Sequence, residues 1–335
     1  MPINIYQNIN KHEQEYIPKS FFFNNRWLNV IEKSFGLKRF YFSFKTKNLN
    51  ITLPFFMVNF FFKKIYSCLP FSFNVSLKQD EEKNILNEIS NFKSGNEIQI
   101  KSNFSNYTNY NIDQFKTKYN YYIVKLENNF EKKFSNNIKR NLKKNTNLEF
   151  KFVKNVFSKE FNDFYNSYVV SSKKLETFFY PKKFFFYLFE ECCDDFYILT
   201  AYQNSKYVGG HLILLDSTNL EAIYFCASKS EDGKYIGIDK YLLNYSMNYC
   251  YKKKFIDFNL GRVNKENIGL NNFKLQFGSQ IKYLNYFSMN KKNYAILDKN
   301  SLIKFLVKLL IRNTSLKNYT RLNNILFRYL SIYQF

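Results

Sequence analysis

The chain has 335 residues, with 50 Lys and Arg against 27 Asp and Glu, a formal charge of +23 and an aromatic fraction of 21%. That length supports two domains or a duplicated core, and the charge suits an anionic partner such as RNA, a phosphorylated substrate or an acidic membrane surface. Five cysteines without CxxC spacing and only two histidines argue against a zinc site or a disulfide framework.

The N-terminal MPINIYQNINKHEQEY lacks an apolar signal core, and the apolar runs near ITLPFFMVNFFFKK are too short and interrupted to span a bilayer. The chain is therefore expected in the cytoplasm. From Phe21 a helix is expected in FFFNNRWLNVIEKSFG, then strands KRFYFSFK and NITLPFFMVNFFF, a helix over Gln79 to Phe92, and strand EIQIK. This makes a small α/β module. After an Asn/Tyr-rich connection comes strand YNYYIVKLE, followed by a basic helical segment from Asn128 to Asn145 that turns Phe134, Ile138 and Leu142 to one side. The cations Lys139, Arg140, Lys143 and Lys144 fall on its other side, where they suit a phosphorylated acceptor or tRNA, or simply solvent.

The second half repeats the alternation. Strand EFKFVK precedes helices over Ser158 to Lys174 and Pro181 to Cys193, then strands DFYILTAY, KYVGGHLILLD and LEAIYFCAS. A helix from Gly237 to Tyr251, strand FIDFNLG, a helix near Leu270 and strand QIKYLNYF complete it. The tail from Ser301 carries six cations and no acid beside LIKFLVKLLI, a basic amphipathic helix. Such a helix packs either on the protein's own core or on an anionic bilayer, which would make the protein peripheral on the inner face of the cytoplasmic membrane. The expected organisation is residues 1–120, 121–290 and a helical tail, 291–335.

Seven of the nine glycines lie between Gly209 and Gly278, which implies special backbone conformations or close approach there. The helix start after ASKSEDGKYIGID offers amides to an anion. Three of these glycines punctuate FIDFNLGRVNKENIGLNNFKLQFGS: Gly261 is read as ending a strand, Gly269 as freeing a loop, and Gly278 as ending the helix of Lys274. Cys226 reads as packing, and His211, alone on an apolar strand, as a core residue or a cleft base.

That stretch resembles the FemAB-like branch of the GNAT-type acyltransferases, whose pattern is a strand ending D-F-G-R, a short insertion, then G-x-x-x-F-K-x-x-W/F-G. Here it reads Asp257 to Arg262, two residues longer than the bare D-F-G-R, then Gly269, Phe273-Lys274 and Phe277-Gly278. NNIKRNLKKN, SSKKLETFFYP and YFCASKS are similar to further family segments, with Glu176 where glycine is usual. The run Lys234 to Asp239 is similar to the coenzyme A pyrophosphate loop Q/R-x-x-G-x-G/A, with Asp239 in place of its last glycine. The resemblance implies a mixed-sheet α/β fold of tandem GNAT-like halves.

It also implies transfer of an acetyl, other acyl or aminoacyl group, from acyl-CoA (acetyl-CoA) or aminoacyl-tRNA, to an amine of a cell-envelope or polysaccharide precursor. A nucleotide sugar and a lipid-linked saccharide are the implied acceptors, and no metal is needed. The implied reacting centre has Lys274, Ser228 and Arg262, with the donor held by Lys234, Gly237, Gly261 and Phe273. Lys139, Arg140 and Tyr224 would face the acceptor. A non-catalytic protein of this fold that binds RNA or an anionic membrane through its basic surfaces is the other reading.

Overall fold

The computed structural model describes residues 4–9, 14–45, 50–60, 63–67, 97–102, 116–144, 147–288 and 302–334. The helix expected over Gln79 to Phe92 lies outside the described residues. The chain divides into two units. The first comprises residues 1–118, 283–310 and 321–335, and the second residues 119–282 and 311–320.

In the first unit, β1 (Asn4–Tyr6), β2 (Lys38–Lys45), β3 (Asn50–Phe60), β4 (Lys63–Ser67) and β5 (Glu97–Ser102) are neighbours in that order. β4 was not expected from the sequence: it falls within the long apolar run and pairs antiparallel with β3. Helix α1 (Asn25–Phe35) starts where the Asn24 side chain accepts from Arg26 N and stops at Gly36, in the left-handed region. Its Trp27, Leu28, Ile31 and Phe35 recur at helical spacing and are buried. Phe42 and Phe55 stack across the β2–β3 pair at 4.4 Å, and Phe35 meets Phe327 at 5.1 Å.

The second unit has strands in the order β6–β11–β10–β9–β8–β7: β6 (Lys116–Lys125), β7 (Leu148–Phe152), β8 (Phe196–Gln203), β9 (Lys206–Asp216), β10 (Glu221–Lys229) and β11 (Asp257–Asn264). Only β10 and β11 run parallel among the described pairings of this unit. Helices α2 (Asn136–Leu142), α3 (Lys159–Lys174), α4 (Lys182–Glu191), α5 (Glu231–Ile236), α6 (Ile238–Lys252) and α7 (Ile268–Leu275) interleave with them. Ser135, Ser158, Ser230 and Asn267 cap α2, α3, α5 and α7 through backbone amides. Ile238, Leu242, Met247 and Cys250 of α6 pack on Leu199, Ile213 and Phe258 of the sheet, with Phe134 and Ile138 from the basic segment. The basic segment is split, a single 3₁₀ turn at Phe130–Lys133 preceding α2.

α5 replaces an expected loop. Ser230 caps it, and Glu231 and Asp232 in its first turn oppose the positive end of the helix dipole. Gly233 makes its docking possible, because a Cβ there would stand 1.8 Å from Val208 O on β9. We expect Gly233→Ala to cost about 3 kcal/mol or more through forced separation of α5 from β9, measured by chemical denaturation. Unchanged stability would contradict this packing.

In the tail, α8 (Leu302–Asn313) and α9 (Leu316–Gln334) form two helices in place of one. Within the second unit, Ile311 and Tyr319 are buried, and the Tyr319 ring meets Phe179 at 5.2 Å, tilted by 52°, while its hydroxyl donates to Thr177 O. Part of the tail therefore packs on the protein's own core. Among the described residues no helix is long and apolar enough to cross a membrane.

Candidate active site

β10 and β11 pair for only three residues, Glu221 to Ile223 against Asp257 to Asn259. Beyond that point β10 stays with β9 as far as Lys229, while β11 continues along β6 to Asn264. The sheet is parted there. On the β11 side the ladder slips between Asn259 and Arg262, so that Leu260 and Gly261 together face Tyr122 of β6. This is a β-bulge, and it absorbs part of the extra length between Asp257 and Arg262. Gly261 sits in it at φ +77°, where a side chain would be strained and a Cβ would lie 3.0 Å from Tyr224 O. Asn259 fixes the bulge from both sides, accepting from Gly261 N at 2.8 Å and donating to Glu221 Oε1 at 2.9 Å.

Carbonyls leaving a ladder need other donors. Lys274 supplies them: from α7 its Nζ donates to Leu260 O, to Gly261 O at 2.8 Å and, at 3.4 Å, to Arg262 O. The side chain is buried, with the rings of Tyr122 and Tyr224 at 5.9 and 6.0 Å from the ammonium. Desolvation, and then the positive charge of Arg262, pull its pKa down to about 7. α7 is held by Asn271, which donates to the backbone oxygens of Asn264, Lys265 and Asn267 and accepts from Tyr122 Oη.

The structure thus brings Lys274, Gly261, Arg262 and Tyr224 together at the parted strands. The Arg262 guanidinium lies 4.9 Å from the Tyr119 ring. Ser228 stands elsewhere. It pairs with Gly210 while Ala227 pairs with His211, so strand alternation turns Ser228 away from the face that carries His211 and Tyr224. Its hydroxyl is buried and bonded to Tyr207, whose pKa is raised well above its ordinary value by burial. Lys234 lies on exposed α5, paired with Glu231, and Gly237 joins α5 to α6 in the left-handed region. Phe273 is partly buried, edge-on to Phe277 at 5.4 Å. Lys139 and Arg140 are on α2, the former donating to Lys132 O. Gly269, read as freeing a loop, is in α7 with Asn267 Oδ1 4.0 Å from where a Cβ would stand, so the loop ends before it.

Sequence reasoning missed the partners of these residues. Asp239 is the second residue of α6, bonded to His211 Nε2 at 3.2 Å and paired with Lys229. Burial opposes its charge, but His211 and then Lys229 hold its carboxyl well below the usual carboxylate range. This carboxylate is committed to a buried pair. His211 is fully buried and edge-on to Tyr224 at 4.9 Å, tying the Asp239 cluster to the ring that flanks Lys274. Asp239→Asn is expected to lose about 2 kcal/mol of stability, since two cationic or donor groups lose their charged acceptor; a melting curve like the parent's would refute the pairing. Burial pushes the Cys226 thiol up, which suits packing and not nucleophilic attack. Glu176 is at φ +54°, a left-handed position that explains why the related segment favours glycine there.

Comparison with solved structures places this arrangement. The chain is similar to FemX over 88% of its own length and 99% of that chain, with a TM-score of 0.59 at 9% identity. The fold is the one seen in FemX. The C-terminal domain of an Agrobacterium fabrum protein assigned to the lysylphosphatidylglycerol synthetases is also similar, with a TM-score of 0.53 and 12% identity over 83% of this chain and 90% of that one. No family model matches the sequence, and no curated protein matches it. At such identities the likeness lies in the FemAB-like fold alone.

Proposed function

We propose that the protein is an N-acyltransferase that moves an acyl or aminoacyl group from an activated donor to an amine of a cell-envelope or polysaccharide precursor. The observation that carries this reading is the parted β10–β11 pair with a buried ammonium fixed at its mouth. A donor carbonyl set between the strands would be attacked by the acceptor amine. The new C–N bond forms as the carbonyl oxygen gains negative charge, then the C–S or C–O bond to the leaving group breaks, and the amine's proton departs to the leaving group or to water. Lys274 serves this in two ways: it holds the cleft wall through three backbone carbonyls, and it places one positive charge where negative charge develops. Arg262 adds a second cation for a phosphate or carboxylate of either substrate.

The donor is acyl-CoA, such as acetyl-CoA, or aminoacyl-tRNA, and the acceptor a nucleotide sugar or lipid-linked saccharide. The synthetase that shares the fold, named for lysylphosphatidylglycerol, supports an aminoacyl donor and an envelope acceptor. Intact-mass analysis of envelope precursors from cells with and without the protein tests the reading, since the mass difference names the transferred group. Unchanged precursor pools, together with salt-sensitive RNA binding by the pure protein, would replace it with a non-catalytic binding role.

A further inference from the structure

We infer that the corner of the second unit where α3 meets the α8–α9 elbow is a docking face for an anionic bilayer surface. A cavity of about 540 Å³ opens there, lined by Val170, Lys173, Lys174, Glu176, Arg312 and Leu316. Three cations surround one carboxylate, and the tail that supplies Arg312 has no acidic residue from Ser301 to Phe335. Apolar side chains stand among them in water: Leu175 is 71% exposed, Leu316 44% and Val170 39%.

Each half of this pattern selects the partner. Cations attract phosphate, whether on a lipid or on RNA, and the cavity between Lys173, Lys174 and Arg312 is wide enough for a headgroup phosphate. Exposed leucines contribute nothing to RNA binding, whereas they gain by entering the acyl boundary of a membrane. Long Lys and Arg stems lie along the apolar surface and keep their charge at headgroup level. Lys173 is already oriented, its ammonium donating to Arg312 O at 3.4 Å, and Lys174 is drawn to Glu231. The burial of Tyr319 and Ile311 holds the elbow on the core while the leucines remain outside. This corner shares no residue with the parted strands. Membrane contact is therefore separable from transfer.

The test is co-sedimentation of the full-length protein with vesicles of phosphatidylcholine alone or mixed with phosphatidylglycerol. Binding is expected only to the anionic vesicles, and it should weaken as salt shortens the reach of surface charges. The double variant Leu175→Asp, Leu316→Asp and the single variant Arg312→Glu each replace exposed side chains, and each should cut the partition coefficient by about tenfold or more. Melting temperature and the circular dichroism spectrum report folding, and both should match the parent. Three outcomes would overturn the inference: no binding to anionic vesicles at low salt, equal binding by the leucine variant, or RNA binding that falls with Arg312→Glu while vesicles are ignored.

Discussion

Lys274→Met is expected to slow transfer strongly and to lower stability together. Methionine retains most of the apolar stem but has no donor, so the carbonyls of Leu260 and Gly261 lose the ammonium that now satisfies them at the bulge. A buried carbonyl without a partner costs about 1–3 kcal/mol. Removing the desolvated charge itself returns part of that, since the ammonium is held where its own pKa falls to about 7. The net loss is expected near 3 kcal/mol, roughly a 10 °C fall in melting temperature for a unit of this size. Transfer should drop by about 10²–10³-fold in single turnover, the usual effect of deleting one electrostatic contact to a developing oxyanion. Parent-like stability would remove the role at the strand carbonyls. Activity within tenfold of the parent, measured below the melting transition, would remove the role in chemistry.

The alternation of strands and helices was legible because each element alternates or recurs with its own period, as in α1 and α6. The stretch from Phe255 to Ser279 stood out as a candidate site, since an Arg, a Lys and three glycines interrupt an otherwise aromatic, lysine-rich text. What could not be read was how the strands part. The bulge at Leu260 and Gly261 depends on pairing with β6, more than a hundred residues earlier, and no local pattern reports it. The glycine cluster was read as a place of special conformation or close approach, while the partners that approach there were not legible. Gly233 serves α5 docking on β9, a contact that only tertiary structure reveals.

Ser228 illustrates a further limit. In LEAIYFCAS simple alternation from Tyr224 would put Ser228 on Tyr224's own face, but the irregularity between Tyr224 and Cys226 reverses the parity. One extra residue moves a candidate member of the reacting centre to the other side of the sheet. Asp239 shows the converse. The sequence sets it in a loop beside a ligand, whereas the fold buries it with His211 and Lys229, two residues from separate strands. Charge in a motif thus reveals little until its partner is known.

Transfer and stability should respond to pH in opposite directions, and Lys274 is the cause of both. In the unfolded chain its ammonium keeps the ordinary pKa of 10.5, and in the fold burial lowers this to about 7. Below pH 7 both states hold the proton and the full penalty of the buried charge is present. Between about 7 and 10.5 the unfolded chain binds more protons than the folded one, so the contribution of this group to stability rises with pH through that window. A transferase that needs the ammonium behaves the other way: turnover falls as pH rises through about 7, because the charge that meets the oxyanion is lost. The measurements are a pH series of chemical denaturation and of kcat/KM, each on the parent and on Lys274→Met. The variant should lack the rise in stability above neutral pH, and its residual rate should lose the fall near pH 7. A turnover that instead climbs through pH 7 in the parent would mark Lys274 as a neutral base, accepting the acceptor amine's proton, and would exclude its action as a fixed cation.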